Sequence, residues 1–191
     1  MYNSNIVSYT FYNYLTNNNI IDGFSINGYN SGTDTRNSYG IGVENTSNQT
    51  TNNIKLFNNG YDGIYIRGNN IIINNVDIFG NGTGGAYGAW YGINAYLTHQ
   101  SIFNNINSYN NGYGMFIGGT YNTINNSKFY NNVYGGIDRS IGPNNDGTNN
   151  SINNSEIFNN GNYGIDYSSN DNKINNVSIF NNGQFGIFFE P

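Results

Sequence analysis

The phrase Asn-Asn-x-x-Ile-Phe-Asn-Asn-Gly-x-x-Gly-Ile recurs down this chain at a nearly constant interval. Its aromatic member falls at Phe57, Phe79, Tyr109, Tyr130, Phe158 and Phe180, in steps of 22, 30, 21, 28 and 22 residues. A unit of about 22 residues is too short to bury its own apolar face, so copies of it must stack on one another. The two long steps are units from which a loop has grown. The 191 residues therefore read as one elongated domain. Repeat units are expected at 17–45, 46–68, 69–97, 98–119, 120–147, 148–169 and 170–191, after a degenerate lead-in or partial cap over 1–16.

Composition narrows the function classes. Asparagine makes up about a quarter of the chain, yet aromatic and β-branched residues are too frequent, and Ile and Gly too regular in register, for a disordered or prion-like segment. Net charge is −5, and the six Lys and Arg are scattered singly. No clustered basic surface exists to displace counterions, which excludes nucleic acid as a partner. Cysteine is absent, so no disulfide, thiolate-held metal or thiol nucleophile is available. No apolar run approaches the ~20 residues of a membrane span. The opening Met1-Tyr2-Asn3-Ser4-Asn5 has no signal-peptide pattern, and the expectation is a removed signal or a segment of a longer chain.

The units show alternation rather than a helical period, broken by Asn-Asn and Gly, which predicts three short strands per coil with tight corners. Parity assigns the faces. In Ile54-Lys55-Leu56-Phe57, Val76-Asp77-Ile78-Phe79 and Ser155-Glu156-Ile157-Phe158 the second residue is polar and faces water, so the first and third face inward. Stacking in register then places Lys55 beside Asp77, Lys128 beside Glu156 and Glu44 beside Arg67, three opposite-charge neighbours. Ile41, Ile64, Ile93, Met115, Ile137, Ile165 and Ile187 are expected to point inward, followed two residues on by Val43, Ile66, Ala95, Ile117 and Phe189. The predicted class is all-β, a right-handed parallel β-helix of about seven coils.

At these residues the chain resembles a known family. The Ile-x-Asn-Asn-x-x-Ile-x-Asn-Asn-Gly-x-x-Gly-Ile phrase, with Ile20-Ile21-Asp22-Gly23-Phe24-Ser25-Ile26 before it, is similar to right-handed parallel β-helix repeats. Such repeats occur in pectate-lyase-like, periplasmic copper-processing and alginate-epimerase-like proteins, and the resemblance covers roughly 17–191. It implies the fold and an extracellular or cell-envelope setting. It carries over no catalytic residue. The Asn-Thr-Asp, Asp-Asp and Gly-His-Gly of pectin hydrolases, the Arg-x-Pro-x-x-Arg of pectate lyases and the Asp-Pro-His of epimerases are all missing, and His99 stands in Thr-His-Gln.

Three features bear on chemistry. The outward aromatic column Phe57, Phe79, Tyr109, Tyr130, Phe158 and Phe180 reads either as a stacking platform for sugar rings or an assembly face, or as a ladder that stabilises the solenoid. Asp138 and Asp166 fall at the same height of neighbouring coils, roughly 5 Å apart, as a proton-transfer pair or a calcium site would require; no other cofactor is implied. Parity puts Arg139 inside, where an unpaired Arg does not stay, so a bulge is expected to release it outward. With His99 and Tyr96 in the corresponding turn two coils earlier, and with Asn94 and Phe116, these residues are expected to share one shallow face. There Arg139 would bind a uronate carboxylate and His99 or a tyrosine would move the proton at C5; chance drift of surface charges is the plainer reading. Insertions at 27–38 (with Asp34 and Arg36) and 82–90 (with Trp90) would flank Tyr61 and Asp62 like two walls, an arrangement suited to capturing carbohydrate. A third loop grows at 141–148.

These readings lead to a module that binds or processes an acidic polysaccharide, in the manner of a lyase or epimerase. The alternative is a non-catalytic structural or adhesive solenoid, a homo-oligomer or a stretch of a longer chain.

Overall fold

The computed structural model describes residues 11–14, 17–28, 39–82, 90–139, 147–167 and 169–189. Of the insertions at 27–38 and 82–90 and the loop at 141–148, residues 29–38, 83–89 and 141–146 lie outside them, Asp34 and Arg36 included.

Every described element is a strand. β1 (Phe11–Tyr14), β2 (Ile20–Asp22), β3 (Ser25–Asn27) and β4 (Ile41–Ser47) come first. Three pairs follow: β5 (Thr50–Phe57) with β6 (Ile64–Asn69), β7 (Ile72–Phe79) with β8 (Tyr91–His99), and β9 (Ile102–Tyr109) with β10 (Tyr113–Ile117). After them the coils read as separate triplets: β11 (Thr123–Asn125), β12 (Lys128–Tyr130) and β13 (Gly135–Asp138); β14 (Ser151–Asn153), β15 (Glu156–Phe158) and β16 (Tyr163–Asp166); β17 (Lys173–Asn175), β18 (Ser178–Phe180) and β19 (Phe185–Phe188).

All pairings are parallel. One sheet runs β1-β4-β6-β8-β10-β13-β16-β19, and the other carries the first and middle segments of each coil. The three segments expected per coil are present, but in β5, β7 and β9 two of them run on as one strand bent at Asn53, Asn75 or Asn105. Residues 1–16 contain β1, whose Phe11 pairs with Ile41 of β4.

The corners explain much of the asparagine. Each takes a single residue into left-handed backbone, as at Asn53, Asn75, Asn105, Asn126, Asn154 and Asn176 with φ of 49–54°. The αL region costs most L-residues about 1–2 kcal/mol, and Asn visits it most readily after Gly.

Inward residues form one continuous core from Ile21 to Ile165, with Phe103 and Phe129 among its largest members. The three charge neighbours stand in the expected register, Lys55 with Asp77, Lys128 with Glu156 and Glu44 with Arg67. Lys128 and Glu156 meet at 3.1 Å, both side chains about half exposed, so the pair marks register more than it adds stability. Lys55 also brings its ammonium to 5.4 Å from the centre of the Phe79 ring. One inward expectation fails at the edge of the stack: Phe189 is 70 % exposed, because it lies just beyond the outermost strand β19.

A second ladder lies inside the fold. Asn59, Asn81, Asn111, Asn132 and Asn160 are all buried, and each Oδ1 from Asn81 onward accepts the backbone N–H of the residue one coil earlier, at 2.9–3.1 Å. Asn111 Nδ2 in turn donates to the Ile78 carbonyl at 3.2 Å and to Ser108 Oγ at 3.1 Å. The corner amides left without a strand partner are thus satisfied from within.

Candidate functional site

The outer face of the β8-β10-β13-β16 sheet gathers more chemistry than any other described surface. Asp138 ends β13. Tyr91, which opens β8 two coils away, donates its hydroxyl to Asp138 Oδ2 at 2.7 Å, and Tyr163 of β16 donates to Oδ1 at 2.7 Å. Tyr113 stacks on Tyr91 with centroids 5.2 Å apart and leans toward Tyr163 at 6.2 Å. Phe116 meets Tyr91 edge-on at 5.3 Å.

Gly135 makes the reach of Tyr163 possible. The two residues pair in register, and a Cβ on Gly135 would lie 2.4 Å from the Tyr163 ring, so the ring occupies the space a side chain would fill. Burial, then the Asp138 charge, pushes both the Tyr91 and the Tyr163 phenol upward. Both therefore stay protonated at neutral pH and act as donors rather than bases.

The expected residues divide. Asp138 and Asp166 sit on adjacent strands, as the pairing of Ile137 with Ile165 requires, and Phe116 and Asn94 share their column. Arg139 requires a correction: it stays inside, 7 % exposed, its Cδ packed under Gly147, and its charge acts on the buried Tyr167 phenol. The strand does not bulge to release it. His99 is not brought to Asp138 either. It ends β8 beyond a left-handed kink at Leu97, five residues past Asn94, and its Nδ1 accepts the Thr120 backbone N–H at 3.1 Å. Tyr96 is exposed on the same strand. Among the described residues no group of three or more His, Cys, Asp or Glu assembles as a metal site.

Asp62 also departs from expectation. It does not line a turn facing solvent but is completely buried, accepting the Tyr91 N–H at 2.8 Å on Oδ1 and Asn94 Nδ2 at 2.9 Å on Oδ2. Burial raises its carboxyl to about 7, against the partial relief of those two hydrogen bonds. Tyr61 and Trp90 do come together, stacked at 4.1 Å beside it. The sign of the consequence for stability is fixed. Between about pH 4 and 7 the unfolded chain releases this proton while the folded chain holds it, so stability falls as pH rises and levels off above 7. The displacement corresponds to on the order of 4 kcal/mol. Asp62→Asn keeps an acceptor for Tyr91 N–H and removes the charge. We expect it to unfold later than the parent in urea at pH 8, with the difference vanishing toward pH 4; equal midpoints at pH 8 would exclude a raised carboxyl.

The aromatic column is a stack of rings. Successive pairs from Phe57–Phe79 to Phe158–Phe180 have centroids 4.9–5.1 Å apart and planes within 15°. Ring faces are taken up by neighbours, and along its length only edges remain for a ligand. Sequence reasoning missed Tyr91, Tyr113, Tyr163 and Gly135. The recurring Tyr-Gly-Ile or Tyr-Gly-Met triplets at 91–93, 113–115 and 163–165 were the signal that would have marked the column.

Parallel coils, left-handed Asn corners and an internal amide ladder define a parallel β-helix. The chain belongs to the right-handed β-helix family, whose model, described as "Right handed beta helix region", matches residues 4–168. Among solved structures it is similar to the periplasmic alginate epimerase AlgG, at 22 % identity and a TM-score of 0.68 over 88 % of this chain and 43 % of that one. It is also similar to the pectate lyase Pel9A, at 17 % identity and 0.65 over 87 % and 48 %. A third is the Dettilon tailspike protein, at 20 % identity and 0.62 over 85 % and 33 %. The chain thus spans less than half the length of each, and these likenesses establish the fold alone. No curated protein matches it.

Proposed function

We propose that this chain is a carbohydrate-associated β-helix module of the cell envelope or extracellular space, and that a polysaccharide lies across the face around Asp138. The observation that carries the reading is the Asp138 carboxylate held between the Tyr91 and Tyr163 hydroxyls and walled by Tyr113 and Phe116. A carboxylate oxygen accepts more than one hydrogen bond, sugar hydroxyls included, and the partly exposed Tyr113 and Tyr163 rings offer apolar surface to the C–H side of a pyranose. The structural neighbours include an alginate epimerase, a pectate lyase and a tailspike, which supports a sugar polymer as the partner.

Binding is favoured over processing. A lyase or epimerase acting on uronic acids needs a base beside the substrate and a group to neutralise its carboxylate. Here Arg139 is turned inward, His99 is engaged elsewhere, and the two phenols hold their protons. Calorimetry against neutral and uronic-acid polymers, with and without calcium at Asp138 and Asp166, tests this. Asp138→Asn removes a charged acceptor and should weaken binding about 10–100-fold, from ~1.5–3 kcal/mol per such bond, with no unsaturated product absorbing in any arm. Unchanged affinity in Asp138→Asn would move the site elsewhere.

A second reading is favoured by the stacked aromatic column, whose faces serve the solenoid itself. On that reading the chain is a structural or adhesive solenoid, and a glycan panel that yields no binding at all leaves it standing.

A further inference from the structure

Beneath the Asp138 face lies a buried acid that the binding reading does not use. Asp62 reaches two residues of that face, the backbone of Tyr91 and the side chain of Asn94. Asn94 stands in the outward column with Tyr65 on one side and Phe116 on the other. Its Nδ2 is spent on Asp62, while its Oδ1 is buried and has no hydrogen-bond partner.

This is half of a reversible arrangement. When Asp62 is ionised it only accepts, and Asn94 must turn its NH₂ toward it, leaving Oδ1 without a partner. When Asp62 carries a proton it becomes a donor. Turning the Asn94 amide over then gives that proton an acceptor in Oδ1 and puts Nδ2, a donor, where the unpartnered oxygen stood. We propose that Asp62 and Asn94 form a proton-operated amide switch, in which protonation of Asp62 replaces an acceptor by a donor on the side of Asn94 away from Asp62, beside Phe116 and Tyr65. Burial places the Asp62 transition at about 7, so the switch operates across the neutral range. The titratable groups beside it on the packed elements are the phenols of Tyr91 on β8, Tyr65 on β6, Tyr61 in its own turn and Tyr39 in the turn before, the last packed on Tyr61 and Tyr65 at 5.4 and 5.6 Å. Tyr91 is held protonated by burial and the Asp138 charge.

The effect on a bound sugar rests on the binding reading above, but the switch is testable without any sugar. Amide spectra of the full chain between pH 5 and 9 should show the Asn94 side-chain NH₂ and the Tyr91 backbone N–H moving together, with one midpoint near 7. Fluorescence of Trp90, the only tryptophan, stacked on Tyr61 next to Asp62, should follow the same curve. In Asp62→Asn all three signals should be flat, and in His99→Gln, the control for the other side-chain type that titrates near neutrality, the transition should persist. A transition that survives Asp62→Asn, or that disappears in His99→Gln, overturns the proposal. Should Asp62→Asn fail to fold, the carboxyl carbon of Asp62 in the parent chain decides: a midpoint near 4 overturns the switch and one near 7 upholds it. Failure of glycan binding with the transition intact would sink the binding reading alone.

Discussion

Asn111→Ala is expected to cost on the order of 3–9 kcal/mol, a large part of the total stability of a domain this size. Asn111 Oδ1 accepts both the backbone N–H and Nδ2 of Asn81, each at 2.9 Å, while its own Nδ2 donates to the Ile78 carbonyl. All these groups are sealed from water, and three of them lose a partner together, at about 1–3 kcal/mol each. Asn74 is the control. It stands in an outer amide ladder, donating to Asn52 Oδ1 at 3.0 Å, where water can replace the bond, and Asn74→Ala should cost under about 1 kcal/mol. Urea unfolding followed by circular dichroism separates the two. Equal midpoints would mean that the inner ladder is ornamental.

Gly136→Ala should cost about 3 kcal/mol, at the upper end of ordinary overpacking. An added Cβ would lie 2.5 Å from Ile157 Cγ2, 2.7 Å from the Gly164 carbonyl and 2.9 Å from Asn160 Nδ2. Ile157 could shift, but the carbonyl and the ladder amide belong to the next coil and yield only if the coils separate. The same substitution at Gly186, in the same column of the outermost strand, meets only Ile179 Cγ2 at 3.6 Å and should lie within ~0.5 kcal/mol of the parent. The repeat's glycine is therefore a clearance between coils, and melting temperatures of the two variants would show whether the cost follows the next coil or the residue type. Equal losses at 136 and 186 would refute the clearance argument.

The fold was legible because a parallel solenoid reuses one register. Once Lys55, Asp77, Lys128 and Glu156 faced water, parity placed Ile54, Leu56, Val76 and Ile78 inside, and all four are buried. Stacking also reduced long-range pairing to a fixed offset, so neighbours 22 or 28 residues apart could be named from spacing alone. The candidate site was legible only in part. Asp138, Asp166, Phe116 and Asn94 follow from that same offset. Arg139 followed it too, and it stays inside where an interior Arg was expected to escape. Asp62 looked like a turn residue facing water, because its burial depends on a strand that begins 29 residues later at Tyr91.

Sequence by itself determined everything that repeats: parallel coils, inward and outward columns, Asn at left-handed corners and Gly where coils close on each other. These are local conformational and steric demands, and each unit restates them. Tertiary structure alone decided what does not repeat. Tyr91 and Tyr163 converge on one carboxylate from opposite sides because Gly135 leaves a gap in their column, the ladder rings turn their faces to one another, and Asp62 is buried against Tyr91 and Asn94 of a later strand. Such outcomes depend on side-chain directions and on burial summed over several coils. No single unit of about 22 residues contains that information.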